Sequence, residues 1–302
     1  MQHSPYTAHR AFISPAFKRS GLMLAAFGFG IIEFGYMLGY DLLDEAFQAV
    51  PPAWADAFYT GATPLGLAAQ LLSFIILAAP VMLVTRFLHH RSPLTLIGPL
   101  GLTWRQFLAV FVPLMLLLLA LELVPPWWSS EALDSTRSLP VWLMLLPPAL
   151  LAIFVQIGAE ELLYRGYLQQ QLATVFKHPA SWLILTNLAF GLAHWDTGAG
   201  GTASAQYVIW AFFFGLCASD LTARSGTLGP ALALHLANNA FAFLLYGETD
   251  GPSSGFALFL FAPETMGAAF DTGEPSLFSW PLALELGILL VMWLTARIGL
   301  KR

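Results

Sequence analysis

Charge is what this chain has least of. Only 10% of its 302 residues are Asp, Glu, Lys or Arg, against about 25% in an ordinary soluble domain. With 57% hydrophobic residues and a mean hydropathy of +0.68, that scarcity excludes a water-soluble globular protein and points to a polytopic membrane protein. Cysteine is nearly absent as well. The single Cys217 cannot close an internal disulfide, and in its apolar run it reads as a small core residue. There is no internal repeat, no low-complexity segment and no stretch with the composition of a soluble domain. The net charge of -5 carries no nucleic-acid signal, because the acids lie in particular loops.

What the chain does have is long apolar runs. About 20 apolar residues cross a bilayer as a helix. Eight runs qualify as expected spans: Leu22–Tyr40, Leu65–Thr85, Phe107–Val124, Val141 through Glu161, Ser181–Trp195, Ala205–Ser219, Leu228–Tyr246 and Leu277–Ala296. The fifth and sixth are the shortest. The expected fold is an all-α bundle of about eight transmembrane helices in a single integral membrane domain, residues 1–302. Arg10, Lys18 and Arg19 precede the first run as in a signal peptide, but the run is too long, contains Glu33 and shows no small-residue cleavage pattern. It reads as a first span.

Loop charges support eight crossings with both termini on one side. That side receives Arg10, Lys18, Arg19, Arg86, Arg91, Arg105, Arg165, Lys177, Arg224, Arg297, Lys301 and Arg302, and the other receives only Arg137. Lys and Arg stay cytoplasmic, so both termini are expected there. The opposite loops collect Asp41, Asp44, Glu45, Asp56, Glu131, Asp134, Glu248, Asp250, Glu264, Asp271 and Glu274. Trp54, Trp127, Trp128, Trp142 and Trp280 suit an outer interfacial belt, and Trp104 and Trp182 an inner one. Within the long loop Gly251–Pro275, Phe256–Ala262 is too short to span and is expected at the interface. Asp196–Ser204 reads as a Gly-rich loop.

Against this background the stretch Glu160-Glu161-Leu-Leu-Tyr164-Arg165 stands out. Ionisable groups at membrane depth are costly and by default face a protein interior or a cavity. Glu161 and Arg165 are an i, i+4 pair in the favourable order, which neutralises one of the two acids. Glu160 is rotated about 100° from Glu161 and points elsewhere, a free carboxyl of the kind general acid–base chemistry uses. His194 ends the fifth run, and His235 lies one helical turn from Asn239 on the same face, with Asn238 less well aligned. At 1.5 Å per residue, Glu160, His194 and His235 lie roughly 18, 20 and 10 Å from the cytoplasmic ends of their helices. They can share one layer if the fourth helix continues through Gln169–Leu172. Glu33, Glu122 and Glu285 read as single structural or snorkelling acids, and Asp220 with Arg224 as a structural i, i+4 ion pair.

Glu160-Glu161-x-x-x-Arg165, Phe190-x-x-x-His194 and His235-x-x-x-Asn239 resemble, in order, the three signature motifs of the CPBP family, the CAAX-protease and bacteriocin-processing (Abi) intramembrane peptidases. The Arg224-Ser-Gly-Thr-Leu run is similar to that family's lead-in to its third motif. The resemblance covers roughly residues 145–246. It implies an intramembrane endopeptidase in which Glu160 and His194 activate a water and His235 and Asn239 stabilise the oxyanion. Glu161, Arg165 and Phe190 would be supporting residues.

The same side chains also fit a second chemistry. His194, His235 and Glu160 form a three-donor set of the kind that holds catalytic zinc with an open position, with Glu161 then the base. A non-catalytic membrane scaffold and an ion-coupled transporter are the remaining functional classes. The transporter ranks last because such folds are commonly built from repeated halves. The expected partners are the lipid bilayer and a membrane-associated peptide or protein substrate. The short basic loops point to a bacterial inner (plasma) membrane, where prenylated substrates are not expected.

Overall fold

The computed structural model describes residues 5–124, 132–196, 201–263 and 276–301. Trp127, Trp128, Glu131, Glu264, Asp271, Glu274, Arg302 and the middle of the Gly-rich loop lie outside them. The chain is a helical membrane bundle. Its helices are α1 (Thr7–Ile13), α2 (Leu22–Phe47), α3 (Pro52–Thr60), α4 (Pro64–Leu72), α5 (Ile75–Leu83), α6 (Leu100–Leu121), α7 (Leu139–Glu161), α8 (Gln169–Val175), α9 (Pro179–Leu192), α10 (Gly201–Ser225), α11 (Gly229–Leu244) and α12 (Trp280–Leu300).

Six helical stretches among the described residues, some of them built from consecutive helices, are long and apolar enough to cross a membrane: Leu22–Phe47, Pro64–Leu88, Pro93–Leu121, Leu139–Val175, Gly201–Ser225 and Trp280–Leu300. The other two expected spans are short helices. α9 has 14 residues and α11 has 16. The expectation that the sixth span would be short is therefore corrected: α10 has 25 residues and begins at Gly201. Small residues Gly201–Ser204 carry little hydropathy, but the Ser204 hydroxyl donates to the Asp196 carbonyl and the side chain is buried, so tertiary contact extends the helix.

Sequence chemistry sets the breaks. Thr63 caps α4 by accepting from the Gly66 N–H at 3.1 Å, with Pro64 in the first turn. Ser73 ends α4, its hydroxyl donating back to the Gln70 carbonyl. α2 then lies close against α5. A Cβ on Gly35 would sit 3.2 Å from Pro80, and one on Gly39 would run into Ile76. Small residues at such crossings let membrane helices approach, where van der Waals packing replaces the hydrophobic effect.

The fourth span does continue through Gln169–Leu172. α7 passes into α8 through a π-helical segment, Leu162–Leu168. π-helical turns inside α-helices concentrate at functional sites, and this one begins directly after the Glu pair.

The expected all-α bundle carries one small addition. Three short strands, β1 (Leu133–Thr136), β2 (Tyr246–Glu248) and β3 (Phe259–Phe261), form a sheet in the order β1-β3-β2. β1 pairs antiparallel and β2 parallel with β3. Phe256 and Ala257 are buried in the protein, so Phe256–Ala262 packs on the bundle instead of lying free in the interface. Arg137, the one basic residue assigned outside, donates from Nε to the Ala257 carbonyl and from Nη2 to the Gly255 carbonyl, both at 3.0 Å. It is a tether for this loop.

At the opposite end α1 docks on the bundle, which hydropathy alone did not reveal. Tyr6 donates to Asp220 Oδ1 at 2.7 Å, and Asp220 also pairs with Arg224 at 2.8 Å, as the i, i+4 spacing predicts. His9 is buried, 4.6 Å ring to ring from Trp182, and its Nε2 accepts from Gln169 Nε2 at 3.3 Å. Desolvation pushes the His9 imidazole down from about 6.5 to about 4. The docked state holds neutral His9, so docking is fully stable above pH 6.5 and weakens as pH falls from 6.5 towards 4. Limited proteolysis of the first 20 residues across this range is expected to accelerate with acid in the wild type, and the acceleration is expected to vanish in His9→Leu.

Candidate active site

The site is built on the end of α7 and the middle of α11. Glu161 and Arg165 are both fully buried and pair at 2.9 Å, Nη1 to Oε1. The guanidinium lies 4.3 Å above the Phe190 ring centroid, and Nη2 donates to Asn187 Oδ1 at 3.4 Å. Asn187 is itself held through Nδ2 to the Leu183 carbonyl and Ser219 Oγ. Space for this arrangement comes from Gly215 of α10, where a Cβ would clash with Asn187 Oδ1 and come within 3.0 Å of Arg165 Nη2. The pair expected from i, i+4 spacing is thus clamped from α9 and α10.

Glu161 has a second partner that the sequence did not disclose. His235 Nδ1 lies 2.8 Å from the same Oε1. A carboxylate beside Arg165 only accepts, so Nδ1 carries a proton and Nε2 is turned away from Glu161. Nε2 faces Glu160 Oε2 at 3.7 Å, too long for a direct hydrogen bond. His235 is 5% exposed and is framed by the Phe190 and Phe214 rings.

Glu160 is 8% exposed and points into a cavity of about 1050 Å³. Its Oε1 accepts from Gln156 Nε2 at 2.6 Å, while Oε2 has no hydrogen-bond partner. Gln156 in turn accepts from Asn239 Nδ2 at 2.9 Å through its own Oε1. An amide has two N–H groups, so Asn239 keeps one for the cavity. Gln156, four residues before Glu160, links the first and third motifs. Its spacing was visible in the sequence, but nothing there distinguished it from ordinary interhelical glue.

His194 lies just beyond α9, whose last residue is Leu192. It therefore stands in the turn after the helix and not within it as expected. Nδ1 lies 2.8 Å from the Phe190 carbonyl. A carbonyl only accepts, so Nδ1 carries the proton and Nε2 presents a lone pair. Phe190 is the hub beneath: its ring is 4.5 Å from His194 and 4.9 Å from Tyr164. Glu160, His194, His235, Asn238 and Asn239 all line the one cavity. Glu33 and Glu285, read as structural acids, line it too.

The donor set for a metal is less well formed. Among the described residues no group of three or more His, Cys, Asp or Glu side chains is gathered so as to hold an ion. Of the set His194, His235 and Glu160, only His235 Nε2 and Glu160 Oε2 converge, at 3.7 Å. The residues as placed do not form the three-ligand shell of a zinc site.

Removing one member of a buried pair leaves an uncompensated charge, at a cost of about 3–5 kcal/mol. Arg165→Met is expected to lower the unfolding midpoint in detergent markedly. Glu161→Gln combined with Arg165→Met is expected to recover part of the loss, because no lone charge remains. Thermal unfolding of the two variants side by side checks this.

Comparison with known proteins follows the same residues. Residues 140–241 match the family model described as type II CAAX prenyl endopeptidase Rce1-like. An uncharacterized protein of Bacillus subtilis (strain 168), YyaK, is 28% identical over 181 residues, which is 58% of this chain and 59% of the relative. The chain thus spans about three fifths of the length of that curated relative. No solved structure matches. The matched segment holds Glu160, Glu161, Arg165, Phe190, His194, His235 and Asn239, and over it the helical core of this integral membrane protein is similar to the Rce1-like family.

Proposed function

We propose that this protein is an intramembrane endopeptidase that hydrolyses a peptide bond in a membrane-associated peptide or protein. The observation that carries the reading is Glu160: it lines a cavity shared with His194, His235 and Asn239, and its buried Oε2 has no hydrogen-bond partner among the described residues. The Rce1-like match supports the same class of activity.

In this reading a water held at Glu160 Oε2 gives its proton to that oxygen as it attacks the scissile carbonyl. His194, with its Nε2 lone pair facing the cavity, orients the water, and the proton that Glu160 has taken passes from its carboxyl to the leaving amine. The free N–H of Asn239 donates to the developing oxyanion. His235 joins it as a second donor when Nε2 carries a proton, its ring held by Glu161 at Nδ1. One such donor contributes about 3–4 kcal/mol to the transition state. Gln156 keeps Glu160 and Asn239 in register. No step in this reading passes through a metal, in keeping with the absence of a gathered ligand shell among the described residues.

Two further readings are kept because they predict different outcomes. Non-catalytic scaffolding by the same fold requires nothing of the Glu160 carboxyl. A metal-dependent peptidase requires an ion at His194, His235 and Glu160. The charge partition of the loops supports a plasma (inner) membrane location with both termini cytoplasmic.

Glu160→Gln, purified in detergent with an unchanged unfolding midpoint, is expected to lose cleavage by about 10²–10⁴-fold, the usual contribution of a general base. Retained cleavage contradicts the assignment. Dialysis against a strong chelator is expected to leave the wild-type rate unchanged. A loss that added zinc restores selects the metal-dependent reading instead.

A further inference from the structure

The cavity is larger than the catalytic group needs, and its remaining wall has a definite chemical bias. Glu33 and Tyr36 come from α2, and Glu285 from α12. Both helices lie outside the segment that matches the family. Glu33 is half-buried and Glu285 is exposed to the cavity. Neither has a hydrogen-bond or ion-pair partner among the described residues. Tyr36 and Tyr164 are within electrostatic reach of both Glu33 and Glu160, and Tyr207 of both Glu160 and Glu285. The three acids therefore stand around one chamber, with tyrosines between them.

Among the described residues no Lys or Arg lines that chamber. Arg165 lies beneath it, fully buried and committed to Glu161. Towards the far end the wall includes Tyr40 and Tyr59, and Tyr59 donates to Asp44 at 2.5 Å, so the acid loop after α2 continues the same sign of charge. Ionised acids at membrane depth are costly without a counter-charge. Walls of one sign focus the field and concentrate an oppositely charged ligand, and tyrosine faces add cation–π attraction. Glu160 lines the same space, and its buried Oε2 has no hydrogen-bond partner among the described residues, so in the peptidase reading the bond to be cut lies beside it.

We propose that Glu33 and Glu285 form a specificity site for a cationic group on the substrate, an Arg or Lys side chain or a free amino terminus, close to the scissile bond. The inference rests on the peptidase reading above. Glu33 and Glu285 bind and position the substrate, and Glu160 performs the hydrolysis.

The test uses the full chain in proteoliposomes and internally quenched apolar peptides that differ at one position. That position is Arg or Lys, or an uncharged isostere such as citrulline or norleucine, and each peptide carries a free or acetylated amino terminus. The expected result is a kcat/KM at least about tenfold higher for cationic peptides, the scale of a desolvated charge pair. Glu33→Gln with Glu285→Gln brings the ratio close to one. A preference that follows acetylation places the cation at the amino terminus, and one that follows Arg against citrulline places it on a side chain. Glu285→Lys, at an exposed position, serves as a second variant and is expected to shift preference towards an Asp-bearing peptide. Equal rates for cationic and neutral peptides, or a ratio untouched by the double variant, overturn the specificity site and leave the peptidase reading standing. If wild type cleaves none of the peptides, the peptidase reading falls. Binding of the same peptides to Glu160→Gln protein then decides the cation site. Preferential binding lost in the added double variant upholds it, and equal binding overturns it.

Discussion

The arrangement depends on one buried ion pair. Glu161 and Arg165 are fully enclosed, and taking both charges out of water costs several kcal/mol per ion before their attraction repays it. The repayment needs good geometry. It comes from the Phe190 face under the guanidinium, from Asn187 at its edge and from the space left by Gly215. Elements α7, α9 and α10 must therefore meet in one way. The same Glu161 oxygen then holds His235 of α11. A fourth element is drawn into register by the pair that fixed the first three.

From that constraint the division between two adjacent acids follows. Neighbouring residues on a helix point about 100° apart, so when Glu161 turns to the interior Glu160 turns to the cavity. Glu161 has Arg165 and His235. Glu160 has Gln156 on one oxygen and, among the described residues, no hydrogen bond on the other, which His235 approaches only to 3.7 Å. Gln156 then ties it to Asn239, so two of the three motifs are joined by two carboxylate–imidazole approaches and one amide bridge. At the end of the bundle where α7 begins and α11 ends, the small sheet and Arg137 tie the two flanking loops together. This holds the far ends of the same two helices.

Features governed by local periodicity were legible in the sequence. Glu161–Arg165, Asp220–Arg224 and the shared face of His235 and Asn239 follow from four-residue spacing, and all three stand in the structure. Apolar runs located the helices, with ends set by chemistry that hydropathy does not see. Ser204 buried against Asp196 lengthened α10, and the end of α9 at Leu192 moved His194 into a turn. Strands of three or four residues carry too short an alternation to detect, which is why the sheet was missed. The His235–Glu161 contact depends on how α11 is rotated against α7. Glu33 and Glu285 could not be seen as cavity acids because their helices carry no motif, and only tertiary placement brings α2 and α12 to the site.

The division of labour between Glu160 and Glu161 is the central claim, and one paired measurement reaches it most directly. Unfolding midpoint and single-turnover peptide cleavage are recorded in the same preparations of Glu160→Gln and Glu161→Gln. The account predicts a crossed pattern: Glu160→Gln keeps the midpoint and loses cleavage, while Glu161→Gln loses the midpoint and, where folded, keeps measurable cleavage. A Glu160→Gln protein that still cleaves, or a Glu161→Gln protein that is fully stable and inactive, contradicts it.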